Sequence, residues 1–173
     1  DLWRVHSTRG LGHERHGCRV ILHLTPIKEK ETLIVGQAGD VDFARAIHVD
    51  LTARWWLTQA CLPLLAKSDA GAVVFAIDDP ARSGAAFWGG YGLVQPAQAA
   101  LVPMLQAELG DHGPRVSGFQ PGPMRTALRA RAYQPNGDAD ARPASDHAEA
   151  CVALLSTAGA AQRGRIVDAS WSP

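Results

Sequence analysis

The chain has 173 residues, of which 46% are apolar and 20% charged, a composition typical of one globular domain with a hydrophobic core. Its formal net charge is zero, which gives no electrostatic reason to expect nucleic acid or an anionic membrane as a partner. No apolar run approaches the roughly 20 residues of a membrane span, and the first residues lack a signal-peptide pattern. The three cysteines, Cys18, Cys61 and Cys151, are far apart and odd in number, which indicates buried thiols rather than disulfides, so we expect a reducing, cytoplasmic setting.

Six short apolar runs predict β-strands. The runs are continuous rather than alternating, and this pattern is typical of parallel strands that are buried on both faces of a sheet. They lie at residues 2–5, 18–24, 32–35, 71–77, 115–119 and 164–169.

Two long helices are predicted between these strands. Residues 51–67 are dense in Leu, Trp and Ala. Residues 91–109 carry apolar side chains at helical spacing and are followed by Gly110, which is typical of a helix stop. We expect Pro96 and Pro103 to weaken or kink this second helix.

A third, shorter helix is predicted near the carboxyl end. We expect Ser145 and Asp146 to cap it. The segment before it, residues 133–142, is rich in Asp, Pro, Asn and Gly and indicates a surface loop, either a lid or an inert connection. The alternation of strands and helices predicts a doubly wound α/β sheet in a single domain. The apolar face predicted for the third helix is Ala148, Cys151, Val152 and Leu155.

Residues able to carry chemistry follow the strand predicted at 71–77. Asp78 and Asp79 come directly after that strand, and Tyr91 opens the next helix after two glycines. Ligands of open α/β sheets bind at the carboxyl ends of the strands. We therefore expect both aspartates and Tyr91 at the rim of one site.

This segment resembles the short-chain dehydrogenase/reductase family. That family's active site uses a Tyr-x-x-x-Lys pair on one helix and a serine in the loop before the helix. Tyr91 matches the tyrosine, Gln95 stands at the lysine position, and Asp78 stands at the serine position. In the family, the lysine lies one helical turn from the tyrosine, lowers its pKa and holds the cofactor ribose, while the serine orients the carbonyl.

The resemblance continues on both sides of this segment. A Pro-Gly-x-x-x-Thr stretch that borders the nicotinamide in the family is kept as Pro121, Gly122 and Thr126. A Val-Asp-Leu run is similar to the family's Val-Asn-Leu helix, and Asp50 stands where that helix supplies an active-site asparagine. The Trp-Gly-Gly-Tyr run is most similar to a bacterial branch of the family, the YciK type.

The front of the chain, residues 1–43, resembles the family's cofactor-binding half in a shortened form. Gly10 and Gly12 match glycines of the phosphate-binding turn, and Gly39 ends a stretch similar to the family's Asn-Asn-Ala-Gly. The resemblance implies a Rossmann-type doubly wound parallel sheet, truncated in its first half. Residues 44–173 would form the catalytic and dimerisation half of this single domain, 1–173.

The resemblance implies hydride transfer between NAD or NADP and a small carbonyl or alcohol, with Tyr91 as the acid/base group. Tyrosine has a free pKa near 10 and needs a neighbouring cation to work near neutral pH, which Gln95 does not supply. Asp78 opposes ionisation further, so we expect catalysis impaired by on the order of 10²–10⁴. Arg82 and Ser83 could replace the missing lysine and serine, but a structural role in a solvated loop is favoured for both.

Other interpretations stay open. A non-catalytic family member would serve as a binding or assembly subunit, forming a homo- or hetero-oligomer through the helices at 51–67 and 91–109. Trp55 and Trp56 would then pack in the core or in that interface. The shortened front also leaves open that the chain lacks segments of a longer parent. The four histidines before residue 24 are interpreted as surface residues, so no metal site is expected.

Overall fold

Four parallel strands form the central sheet of this computed structural model, which describes residues 19–22, 39–127, 129 and 140–172. The strands are β1 (Arg19–Leu22), β2 (Ala72–Ala76), β3 (Arg115–Gln120) and β6 (Ile166–Asp168), and they pair in the order β1-β2-β3-β6. A separate parallel pair joins β4 (Met124–Arg125) to β5 (Arg142–Pro143).

The helices connect and flank these strands. Within the described residues, no helix is both long and apolar enough to cross a membrane. The α-helices are α1 (Asp40–Ile47), α2 (Ala53–Leu65), α3 (Pro80–Ser83), α4 (Gly89–Leu109) and α5 (Ala148–Leu155). A π-helical turn at His48–Thr52 joins α1 to α2, and 3₁₀ turns lie at Ala144–His147 and Thr157–Gln162.

Helices cover both faces of the sheet. Alternate residues of β2 point to opposite sides, because successive side chains of a strand alternate. On one side, Val73 and Phe75 pack with residues of α2 and α4, among them Leu65 and Leu101. On the other side, the core cluster is Val74, Phe119, Leu154 and Val167. This three-layer arrangement confirms the predicted doubly wound α/β sheet.

The strands predicted at 18–24, 71–77, 115–119 and 164–169 are confirmed as β1, β2, β3 and β6. The runs at 2–5 and 32–35 lie outside the described residues, as do most of the loop at 133–142 and Cys18.

The first long helix begins earlier than predicted, because helical structure already starts at Asp40 and passes through the π turn into α2. The second, α4, runs without interruption through Pro96 and Pro103, both of which lie within its span. Gly110 ends α4 as predicted: its φ of 66° is in the region that favours glycine.

One expectation about α5 is wrong and another holds in part. Ser145 and Asp146 do not cap this helix; they lie in the preceding 3₁₀ turn, and His147 occupies the N-cap position. Two residues of the predicted apolar face, Cys151 and Leu155, pack against the core cluster. The other two, Ala148 and Val152, are exposed, and the fully buried residue of the helix is Leu154.

Candidate active site

The site residues lie at the edge of the sheet where β2 and β3 end. Asp78 follows β2 by two residues, and Tyr91 lies in the first turn of α4. Pro121 and Gly122 follow β3 directly. Asp78 and Tyr91, which were both expected at this rim, are in direct contact through their side chains.

A single carboxylate organises this contact. The Tyr91 hydroxyl donates a hydrogen bond to Oδ2 of Asp78 at 2.9 Å. The other oxygen, Oδ1, accepts from the Arg82 guanidinium and from the backbone N–H of Asp79, the latter at 2.8 Å. Asp78 therefore joins a phenol and a guanidinium, with its own charge balanced by Arg82.

This environment makes Tyr91 a weak acid. Burial raises the pKa of Tyr91 first, and the charge of Asp78 and the hydrogen bond to it raise it further. Asp50 adds to the rise, and Arg54 opposes it. The pKa of Tyr91 thus moves away from neutrality, in the direction opposite to that required of a general acid/base.

Gln95 lies one turn after Tyr91 on α4 but performs a structural task. Its side chain is 2% exposed, and its Oε1 accepts a hydrogen bond from the backbone N–H of Asp78 at 3.0 Å. The amide therefore holds the loop that follows β2. It brings no positive charge to the site.

Arg54 and Gln98 form a buried polar group that the sequence-based prediction missed. Nη1 of Arg54 donates to the backbone oxygen of Ala76 at 2.8 Å and to Oε1 of Gln98 at 2.5 Å. Nε2 of Gln98 donates to the backbone oxygen of Asp50 at 2.5 Å. A signal was present in the sequence, since Arg54 is the one charged residue between Asp50 and Lys67.

Asp50 is the carboxylate of this group. It is 1% exposed, and neither of its carboxylate oxygens has a hydrogen-bond partner among the residues described. Burial raises the pKa of Asp50 to about 6, with the positive charge of Arg54 acting against the rise. Burial likewise lowers the pKa of Arg54, which the negative charge of Asp50 opposes.

Arg82 and Ser83, the two possible substitutes for the missing lysine and serine, make other contacts. Arg82 is not a solvated loop residue, since it pairs with Asp78, and its side chain is 27% exposed. Ser83 is fully buried and donates its hydroxyl to the backbone oxygen of Asp79 at 3.0 Å. Ser83 therefore stabilises α3.

Trp55 and Trp56 are exposed, so the core position considered for this pair is wrong. The ring of Trp56 meets His48 edge-on at 5.4 Å between centroids. Exposed large apolar side chains also lie on α4, at Leu93 and Met104, and on α2 at Leu64.

The residues predicted to bind the cofactor lie in different environments. Pro121 is buried, and Gly122 adopts a φ of 72° with open space where a Cβ would stand. Thr126 is exposed and accepts a hydrogen bond from the backbone N–H of Arg129 at 3.1 Å. Gly39 is exposed at the start of α1.

Gly10 and Gly12 lie outside the described residues. The side chains at the tyrosine do not fit the ribose contact that the resemblance assigns to a lysine. Gln95 is neutral, and its amide oxygen already binds the Asp78 N–H.

The sequence profile described as short chain dehydrogenase matches residues 31–137 of this chain. An oxidoreductase of Escherichia coli K12 called YciK, described as uncharacterized, is 41% identical over 87 residues. That match covers 50% of this chain and 34% of the E. coli protein, so the aligned part is about a third of that relative.

Solved structures show the same relationship. A short chain dehydrogenase of Pseudomonas syringae superposes with a TM-score of 0.79 at 28% identity, over 88% of this chain and 61% of that one. One of Shigella flexneri, complexed with NADP, gives a TM-score of 0.79 at 27% identity, over 88% of this chain and 63% of that one. This chain thus spans less than two thirds of each of these relatives.

Proposed function

Because the chain belongs to the short chain dehydrogenase family, we propose that it is an oxidoreductase of the NAD- or NADP-dependent type whose proton transfer is impaired. Its reaction would be hydride transfer with a small carbonyl or alcohol. The observation that carries the proposal is the hydrogen bond from the Tyr91 hydroxyl to the Asp78 carboxylate at 2.9 Å.

Proton transfer to a carbonyl oxygen needs a donor whose proton is available and whose anion is stabilised. The Tyr91 proton is held by Asp78, and ionisation of Tyr91 would place two negative charges in direct contact. Gln95 brings no compensating cation. Loss of a tuned acid/base group costs on the order of 10²–10⁴ in rate.

Cofactor binding is part of this proposal. The Shigella flexneri relative is complexed with NADP. In this chain the Pro121–Gly122 turn follows β3 at the carboxyl edge of the sheet, where Gly122 leaves open space. We expect NAD or NADP to bind weakly, because the lysine that holds the ribose in the family is replaced by Gln95.

The test compares the native chain with Tyr91→Phe and with Asp78→Ser/Gln95→Lys. Binding of NADH and NADPH is followed by nicotinamide fluorescence, and turnover is followed with a panel of aldehydes and ketones. We expect slow turnover in the native chain. Tyr91→Phe should change this turnover by no more than about twofold, and the double variant Asp78→Ser/Gln95→Lys should turn over about 10²-fold faster. Asp79→Ser/Gln95→Lys is the matched control, because serine also caps a helix such as α3.

Native turnover that falls about 100-fold or more in Tyr91→Phe contradicts the proposal, since Tyr91 would then be an effective acid/base group. Binding of neither nucleotide at millimolar concentration also contradicts it and favours the second candidate.

The second candidate is a non-catalytic assembly subunit, and the exposed apolar side chains of α2 and α4 favour it. Leu64 is 61% exposed and Leu93 is 59% exposed, although both lie on helices that pack against the sheet. Exposed large apolar side chains on both helices support this candidate, because an interface between chains would bury them. The partner would be a second copy of this chain or an active relative.

A further inference from the structure

Three side chains of α4 face the same side of the helix at the site. Tyr91, Gln95 and Gln98 are spaced by four and three residues, which places them in a row on one helix face. Both glutamines are buried and bind groups outside α4. The row contains no charged residue.

A cation reaches this row from another helix. Arg54 belongs to the first turn of α2, is 3% exposed, and donates to Gln98 at 2.5 Å. The same nitrogen donates at 2.8 Å to the backbone oxygen of Ala76, two residues before Asp78. The guanidinium is thus fixed between the end of β2 and the α4 face that carries Tyr91.

We propose that Arg54 supplies from α2 the positive charge that Gln95 does not supply from α4, and that Asp50 largely neutralises it. Arg54 is a positioning residue in this scheme, acting on Tyr91 through its charge. The inference rests on the proposed function, in which Tyr91 occupies the acid/base position of the site but transfers its proton poorly.

The charged groups around Tyr91 support this arrangement. Asp78, from the loop after β2, binds the hydroxyl and is itself paired with Arg82. Asp50, from the π turn, and Arg54, from α2, act on Tyr91 through their charges, Asp50 raising its pKa and Arg54 lowering it. The Asp78–Arg82 ion pair and the buried charges of Asp50 and Arg54 therefore flank one tyrosine, and the members of each set are four residues apart in the sequence.

The test uses the ultraviolet absorbance of tyrosinate. The chain has two tyrosines, Tyr91 and Tyr133, so Tyr133→Phe leaves one reporter. Asp78→Asn is added to every protein in the comparison to bring ionisation of Tyr91 into a measurable range. The informative pair is then Asp50→Asn against Asp50→Asn/Arg54→Gln, because these two proteins differ only in the cation.

We expect the protein that keeps Arg54 to ionise at a midpoint about one pH unit lower, which is about a tenfold larger ionisation constant. Coinciding midpoints in two folded proteins would overturn the proposal. The control for general disruption is Arg82→Gln in the same background.

A second measurement covers the case in which removal of Arg54 prevents folding. In the Asp50→Asn protein, the nitrogen-15 resonances of the Arg54 guanidinium should shift with the same midpoint as the Tyr91 absorbance. Resonances that do not respond to Tyr91 ionisation would overturn the proposal. Failure of the proposed function has a different signature, which is seen in a separate protein that carries Tyr133→Phe alone and retains Asp78. In that protein, Tyr91 would ionise with a midpoint near the free-tyrosine value of about 10.

Discussion

Asp50 is a carboxylate enclosed by protein beside a buried guanidinium, and its burial has a consequence for stability. Burial raises its pKa from 3.8 to about 6. The folded chain therefore binds this proton more tightly than the unfolded chain does. The resulting stabilisation is fully present below pH 3.8 and is lost as the pH rises through about 6.

We expect Asp50→Asn to remove this pH dependence. Relative to the native chain, the variant's free energy of unfolding should increase by about 3 kcal/mol between about pH 4 and about pH 8, since one pKa unit corresponds to about 1.4 kcal/mol. Urea unfolding at both pH values measures the difference. Asp111→Asn, at an exposed position, is the matched control. A difference between Asp50→Asn and the native chain that does not change with pH would rule out the burial of Asp50 as its cause.

At the scale of residues, the sequence pointed to Asp50, Asp78, Tyr91 and Gln95 because each occupies a position of a family motif. It did not reveal that Asp78 binds Tyr91, or that Arg54 and Gln98 bind each other close to the end of β2. Those contacts depend on how α2 and α4 approach the end of β2, and this packing has no local signature in the sequence.

At the scale of elements, α3 and α4 approach each other closely at Gly92. A Cβ at this position would overlap the backbone oxygen of Ser83. Replacing glycine by alanine in an unhindered helix stabilises it by up to about 1 kcal/mol. The close approach reverses that sign, because neither backbone yields easily.

We expect Gly92→Ala to lower the free energy of unfolding by about 1–3 kcal/mol. The exposed substitution Ala100→Gly on the same helix sets the scale of helix propensity alone. Denaturant unfolding of both variants gives the comparison. Stabilisation by Gly92→Ala would mean that α3 and α4 are further apart than described.

The most buried residue of α5, Leu154, is one that its sequence pattern did not single out. We expect Leu154→Ala to cost about 2–5 kcal/mol, because Leu154 is fully buried in the cluster with Val74 and Phe119. Val152→Ala, at an exposed position, should stay within about 0.5 kcal/mol. Thermal unfolding measures which variant loses more stability. Equal losses of stability in the two variants would favour the helix face predicted from the sequence.

The strands were predictable and the faces of short helices were not, for a physical reason. The run that became β2 is apolar and lies between Gly71 and Asp78, and the run that became β3 lies between Pro114 and Pro121. In contrast, α5 has eight residues, seven of them Ala, Cys, Val or Leu, so no polar side marks its orientation. The helical residues from Asp40 were missed because the prediction rested on the Leu-, Trp- and Ala-rich run that starts at residue 51, and α1 contains no such run.

At the scale of the whole molecule, the exposed apolar residues of α2 and α4 bear on assembly. We expect the chain to form a dimer or larger oligomer at micromolar concentration, since burial of Trp56 and Leu93 would remove apolar area from water. Gel filtration with light scattering measures the mass. Trp56→Arg/Leu93→Arg should give a monomer, whereas Phe87→Arg, at an exposed position outside both helices, should not. A monomeric native chain would remove the support for the assembly candidate.

The most direct measurement is the spectroscopic titration of Tyr91 in the otherwise native Tyr133→Phe protein. Free tyrosine is half ionised at about pH 10. Because Asp78 binds the hydroxyl and the site is buried, we expect Tyr91 to remain un-ionised at that pH while circular dichroism shows the fold intact. A midpoint at or below about 10 in the folded protein would show that Asp78 does not hold the proton, and the proposed impairment of proton transfer would have no physical basis.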